Sequence, residues 1–113
     1  MKTARPRILV VDDDMLLSEA ITGVLDAYDV TTAHDAHSAI EALRVVPFDL
    51  VVCDLQLEDT SGVALYEDAC RRFPRLRERF LFMSGGPAPG LDCPLVEKPF
   101  DLHELRARVA ERL

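Results

Sequence analysis

The sequence predicts an α/β fold: a doubly wound sheet of five parallel strands with helices packed on both faces. Three observations predict it. Short apolar runs recur along the chain, the clearest being Ile8-Leu9-Val10-Val11, Leu50-Val51-Val52-Cys53 and Phe80-Leu81-Phe82-Met83. Their hydrophobicity is continuous, as in strands buried on both faces of a parallel sheet. Between them lie segments with apolar residues at helical spacing, and that alternation closes into a parallel sheet through right-handed crossovers.

The elements follow in order. After the first strand, Asp14 is placed to cap a helix over residues 15–27, with Leu16, Leu17, Ala20, Ile21, Val24 and Leu25 facing inward. Val30, Thr31 and Thr32 mark a second strand over residues 29–33. Asp35 caps a second helix that buries Ala39, Ile40, Ala42 and Leu43 and ends at Pro47. The third strand ends in Asp54, a polar loop covers residues 56–61, and a third helix spans residues 62–72 with Val63, Leu65, Tyr66 and Ala69 inward. The fourth strand follows, then a short fifth strand at Leu95-Val96. Asp101 caps a last helix with Leu102, Leu105, Val109 and Leu113 on one face. Five such strands suit the flavodoxin-like order 2-1-3-4-5. One crossover breaks the rhythm. Residues 84–94 read SGGPAPGLDCP, and their glycines and prolines do not support a helix, so an irregular loop is expected over residues 85–93.

The chain has 113 residues, the size of one domain, and residues 1–113 are read as that single unit. Hydrophobic residues make up 49% and charged residues 29%, which suits a globular domain rather than a disordered one. Thirteen basic against 20 acidic residues give a net charge of −7, an argument against direct nucleic-acid binding, which needs a basic face. No apolar run approaches a membrane span, and the four-residue run after the basic N-terminus is too short for a signal peptide, so a cytoplasmic protein is expected. Three scattered cysteines, Cys53, Cys70 and Cys93, read as reduced thiols.

In an open parallel sheet, ligands bind beyond the carboxyl ends of the strands. Here those ends carry Asp12-Asp13, Asp54, Ser84 and Glu97-Lys98. Clustered carboxylates without histidine or thiolate partners favour Mg²⁺, or Mn²⁺, over zinc. A cation, a lysine and a hydroxyl around one carboxylate make a setting for a phosphoryl group, and the carboxylate can itself be the nucleophile. On that reading Asp54 is the phosphoacceptor.

Four segments in register, ILVVDDD, FDLVVCDLQLEDTSG, FLFMSGG and VEKPF, resemble the receiver domains of two-component response regulators, free-standing or within hybrid kinases. The resemblance covers nearly the whole chain. It implies that Asp13 ligates the metal directly, Asp12 through water, and Asp54 as the phosphorylated residue, with the main-chain carbonyl of Gln56 completing the set. It further implies that Ser84 is the switch hydroxyl, Gly85 the small residue beside it, and Lys98 the phosphate-binding lysine, joined to Pro99 by a cis bond. The implied partner is a histidine kinase or histidine phosphotransfer protein, with no membrane contact and no enzymatic turnover beyond self-phosphorylation and autodephosphorylation.

The chain departs from the family pattern in three places. Glu58 stands where a proline is common, Leu95 replaces the aromatic switch residue, and the family's fourth helix is missing, so dimerisation through that helix's face is not expected. Gly86 occupies a position that modulates the hydrolytic water in the family. Two other readings compete with this one. A small phosphatase with an aspartyl-phosphate intermediate needs a second aspartate two residues after the nucleophile, where Gln56 stands. A phosphorylation-independent pseudo-receiver would not need the full set of matched chemical residues.

Milder readings attach to other residues. Asp14 reads as a cap rather than a third ligand. The cysteines read as packing, although Cys53 abuts Asp54. His34, His37 and His103 show no ligand spacing. The arginine run from Arg71 to Arg79 reads as a solvated turn, with docking of an acidic partner as the alternative.

Overall fold

The structure is a computed structural model, and it describes residues 5–85 and 94–113. The elements run β1 (Arg7–Val11), α1 (Met15–Val24), β2 (Asp29–Ala33), α2 (Ala36–Val45), β3 (Leu50–Asp54), α3 (Gly62–Arg72), a 3₁₀ turn (Pro74–Glu78), β4 (Phe80–Ser84), β5 (Leu95–Glu97) and α4 (Leu102–Arg112). All strand pairs are parallel and the order is β2-β1-β3-β4-β5, as the sequence predicts. The loop expected over residues 85–93 lies, apart from Gly85, outside the described residues.

The continuous apolar runs split between two cores because side chains alternate across a strand. Leu9, Val11, Val51, Cys53, Phe80 and Phe82 point to one side, where Ala39 and Leu43 of α2 and Leu65 and Ala69 of α3 cover them. Ile8, Val10, Leu50, Val52, Leu81 and Met83 point to the other, beneath Ile21 of α1 and Leu105 and Val109 of α4. On the first side Tyr66 meets Phe80 and Phe82 edge to face, with ring centroids 4.9 and 5.7 Å apart.

Three details correct the sequence reading. Helix α1 stops at Val24 rather than Ala27. Leu16 is 78% exposed and Ala20 is exposed too, because the buried stripe of α1 runs through Ser18 and Ile21, with Leu17 and Val24 half-buried. Leu113 follows the end of α4 and is largely exposed. Arg71, Arg72, Arg75, Arg77 and Arg79 are all exposed, as the reading of a solvated turn requires. Arg71 and Arg72 pair with Asp68 on the same helix, Pro74–Glu78 winds into a 3₁₀ turn, and Arg75 donates to the Phe48 carbonyl at 3.0 Å.

Candidate functional site

Four of the five strands, β1, β3, β4 and β5, deliver parts of the site at the carboxyl rim. Strand β1 runs into Asp12, fully buried, and Asp13, exposed. Asp12 Oδ1 accepts the Asp14 main-chain N–H at 2.8 Å, which closes the turn into α1, and Asp14 Oδ1 accepts from Leu17 as the helix cap. The capping reading of Asp14 therefore holds. Strand β3 ends in Asp54, 7% exposed, whose Oδ1 accepts the Gln56 N–H at 3.1 Å. Carboxylate oxygens of Asp12, Asp13 and Asp54 lie within 4.8 Å of one another, close enough to share one divalent cation.

Lys98 arrives from the far side of the sheet. Its Nζ stands 3.0 Å from Asp54 Oδ2 and 3.4 Å from Asp12 Oδ2. The main chain fixes that approach, since Lys98 N–H donates to the carbonyl of Ser84. Ser84 is buried at the end of β4, beside Glu97 of β5, and Gly85 follows in an exposed bend. The Lys98–Pro99 bond is cis, as the resemblance implies.

The electrostatics follow from burial and pairing. Desolvation raises the pKa of Asp12, and the nearby Asp54 adds to the rise, against the opposing pull of the Asp14 N–H and Lys98. Burial works against the Lys98 charge. The hydrogen bond to Asp54 and the attraction of both carboxylates outweigh it, so its pKa rises. Cys53 is fully buried, and its thiol is pushed far above the ordinary range by burial and the flanking Asp54 and Asp12 charges. That leaves it inert, as its packing role predicts.

Two contacts escaped the sequence reading. Asp59, in the loop after the phosphoacceptor candidate, accepts the N–H groups of Ala36 and His37 at 3.1 and 3.3 Å, so this loop caps α2 from outside. His34 Nδ1 lies 3.3 Å from the Asp12 carbonyl. Neither contact has a local sequence signal, because each joins residues more than twenty positions apart. Gly62 is required by space rather than by its dihedral angles. A Cβ there would stand 2.2 Å from the Asp54 carbonyl oxygen.

A parallel sheet in this order, with acids and a lysine on its carboxyl rim, defines a receiver-type signalling module. The chain belongs to the response regulator receiver domain family, whose model matches residues 8–84. It is 36% identical over 124 residues to the DNA-binding response regulator MtrA of Mycolicibacterium smegmatis, an alignment covering all of this chain and 53% of that protein. It is 30% identical to the sensor histidine kinase TmoS of Ectopseudomonas mendocina, over 94% of this chain and 12% of the kinase. The chain thus spans about half the length of the curated response regulators it matches. Among solved structures, the non-phosphorylated HemR receiver domain of Leptospira biflexa superposes with a TM-score of 0.83 at 32% identity, covering 96% of this chain and 94% of that one. No helix among the described residues is long and apolar enough to cross a membrane.

Proposed function

We propose that the chain accepts a phosphoryl group on Asp54 from a phosphohistidine of a kinase or phosphotransfer protein, and that the product changes which partner it binds. The observation that carries this reading is the meeting of Lys98 Nζ with Asp54 Oδ2 at 3.0 Å on the rim that also gathers Asp12 and Asp13. In the transfer, an Asp54 carboxylate oxygen forms a bond to phosphorus. The phosphorus–nitrogen bond of the donor breaks, and its electron pair returns to the imidazole. Lys98 sits where it can offset charge on the incoming phosphoryl oxygens. Asp13 and Asp54 would hold Mg²⁺ directly, with Asp12 acting through water and the Gln56 carbonyl as a further ligand. The ion supplies charge neutralisation for the phosphoryl oxygens. Ser84, at the end of the neighbouring strand, supplies a hydroxyl to the same group, with Gly85 leaving room beside it.

Residues 1–113 form the receiver unit in this reading. The acidic charge argues against nucleic-acid contact by these residues alone. MtrA is named as DNA-binding, so that argument does not extend to a larger regulator containing such a unit. Incubation with acetyl phosphate and Mg²⁺, read by intact-protein mass spectrometry, tests the proposal. One added phosphoryl group on the wild type and none on Asp54→Asn is expected. No adduct on the wild type, or an equal one on the variant, refutes it.

A further inference from the structure

The opposite end of the sheet carries a second charged site. At the amino ends of the strands lies a cavity of about 490 Å³ lined by Arg5, Arg7, Arg79 and Arg112, with Asp49 and Pro47 in its wall. We infer that this cavity binds a phosphoanhydride anion, the diphosphate or triphosphate group of a nucleotide or of inorganic polyphosphate.

Three features carry the inference. First, the cations are not neutralised. Among the described residues, the arginines in ion pairs are Arg71 and Arg72, with Asp68, and Arg108, with Glu111. No carboxylate of the described residues lies within ion-pair distance of the four cavity arginines, on a chain whose net charge is −7. Second, most of them are held in place by main-chain carbonyls, which orient a guanidinium without cancelling its charge. Arg5 donates to Asp26, Ala27 and Tyr28 after α1, Arg79 to Asp49 before β3, and Arg112 of α4 to Glu78. Each guanidinium has five N–H donors, so several remain for a ligand, and side chains already fixed lose less entropy on binding. Asp49 is itself occupied, because its Oδ2 accepts the Arg7 N–H at 2.8 Å.

Third, shape and charge select the ligand. Four arginines line the cavity together with Asp49 and the last residue, Leu113, whose terminal carboxylate adds a second negative charge, so the lining keeps a positive excess that a polyanion of this size would offset. Planar forks match phosphate oxygens bidentately. The volume falls in the range of small-molecule sites, whereas an acidic peptide would need an extended groove. The site lies at the other end of the strands from Asp54, so its occupancy is separable from phosphorylation.

Titration of sodium tripolyphosphate into the ¹⁵N-labelled full chain, at low salt with EDTA present, tests the inference. Saturable amide shifts are expected at Arg7, Asp49, Arg79 and Arg112. The pair Arg79→Gln and Arg112→Gln should weaken binding about tenfold or more, while Arg71→Gln with Arg72→Gln leaves it unchanged. Arg7→Gln alone provides a second variant should the pair lower the melting temperature. ATP binding more tightly than tripolyphosphate assigns the site to nucleotides, and equal binding assigns it to the bare polyphosphate. The inference is overturned by a linear, unsaturated response, by shifts centred on Asp12, Asp13 and Asp54, or by a hexaglutamate peptide binding as tightly as tripolyphosphate.

Discussion

Replacing Gly62 by alanine should loosen the fold at the point where it supports Asp54. Gly62 is the first residue of α3, and its N–H donates to the Leu55 carbonyl at 2.7 Å, closing the loop directly behind the strand end. An added Cβ would stand 2.2 Å from the Asp54 carbonyl oxygen and 2.9 Å from Leu55 Cα. An ordinary carbon–oxygen contact is about 3.3 Å or more, so the shortfall is about 1 Å. The obstacle is main chain on both counts, not the tip of a flexible side chain. Overpacking of this kind costs about 1–3 kcal/mol, and alanine returns at most about 1 kcal/mol of helix propensity. Rigid main chain on both sides puts the cost at the upper end, so a net loss of about 2 kcal/mol results. An unfolding entropy of about 2.1 cal/mol/K per residue amounts to about 0.24 kcal/mol/K for this chain, so the melting temperature should fall by about 8 °C.

Far-UV circular dichroism melts in EDTA measure this directly. Gly23→Ala is the internal contrast, because Gly23 is exposed in α1 and a Cβ there meets nothing within 4 Å. That substitution should stabilise by about 0.5–1 kcal/mol and raise the melting temperature by about 2–4 °C. The reasoning fails if Gly62→Ala melts within about 2 °C of wild type, or if the two variants shift in the same direction.

The other predictions concern the polar rim and its loop. Lys98→Met removes the cation between buried Asp12 and Asp54, and should cost about 2–4 kcal/mol in denaturant melts without metal, partly restored by Mg²⁺. Asp12→Asn should raise metal-free stability by about 1 kcal/mol at pH 7, because it removes a desolvated charge. The pH dependence has a definite sign. A carboxyl whose folded pKa is raised holds its proton longer in the folded state, so its penalty is full above that pKa and fades as pH falls through it toward 3.8. The gap between Asp12→Asn and wild type should therefore narrow on acidification, and a constant gap from pH 7 to about pH 4 would count against the burial argument. Asp59→Ala should cost about 0.5–2 kcal/mol and speed hydrogen exchange at Ala36 and His37 ahead of the α3 amides, which exchange mass spectrometry resolves.

What the sequence made legible depended on how local the signal was. β1, β3 and β4 stood out because both of their faces are buried, which leaves no polar alternation to dilute the run. The acids and Lys98 could be placed together because a parallel sheet brings all its carboxyl ends to one rim, whatever the chain separation. The face of α1 was harder. Apolar residues occupy both 16 and 17, so periodicity alone allows two orientations, and the fold chose the one that buries Ser18 and exposes Leu16. A hydroxyl at a core position is a cue that hydrophobic patterning discards. Asp59 was read only as loop polarity, since a cap supplied from another segment needs the tertiary fold to bring it there.

The helices tie the two ends of the molecule to their charges. Right-handed crossovers between parallel strands place every helix N-terminus at the carboxyl rim. Asp14, Asp35, Ser61 and Asp101 cap those N-termini. Each helix thus turns the positive end of its dipole toward this rim, and α1, whose first turn follows Asp12 and Asp13 directly, favours negative charge there by about 0.3–1 kcal/mol. The same polarity puts Arg44, Arg71, Arg72 and Arg112 in last turns at the opposite end, and Arg112 is one of the four arginines that line the cavity there. The fold therefore holds its acids together before any cation is bound.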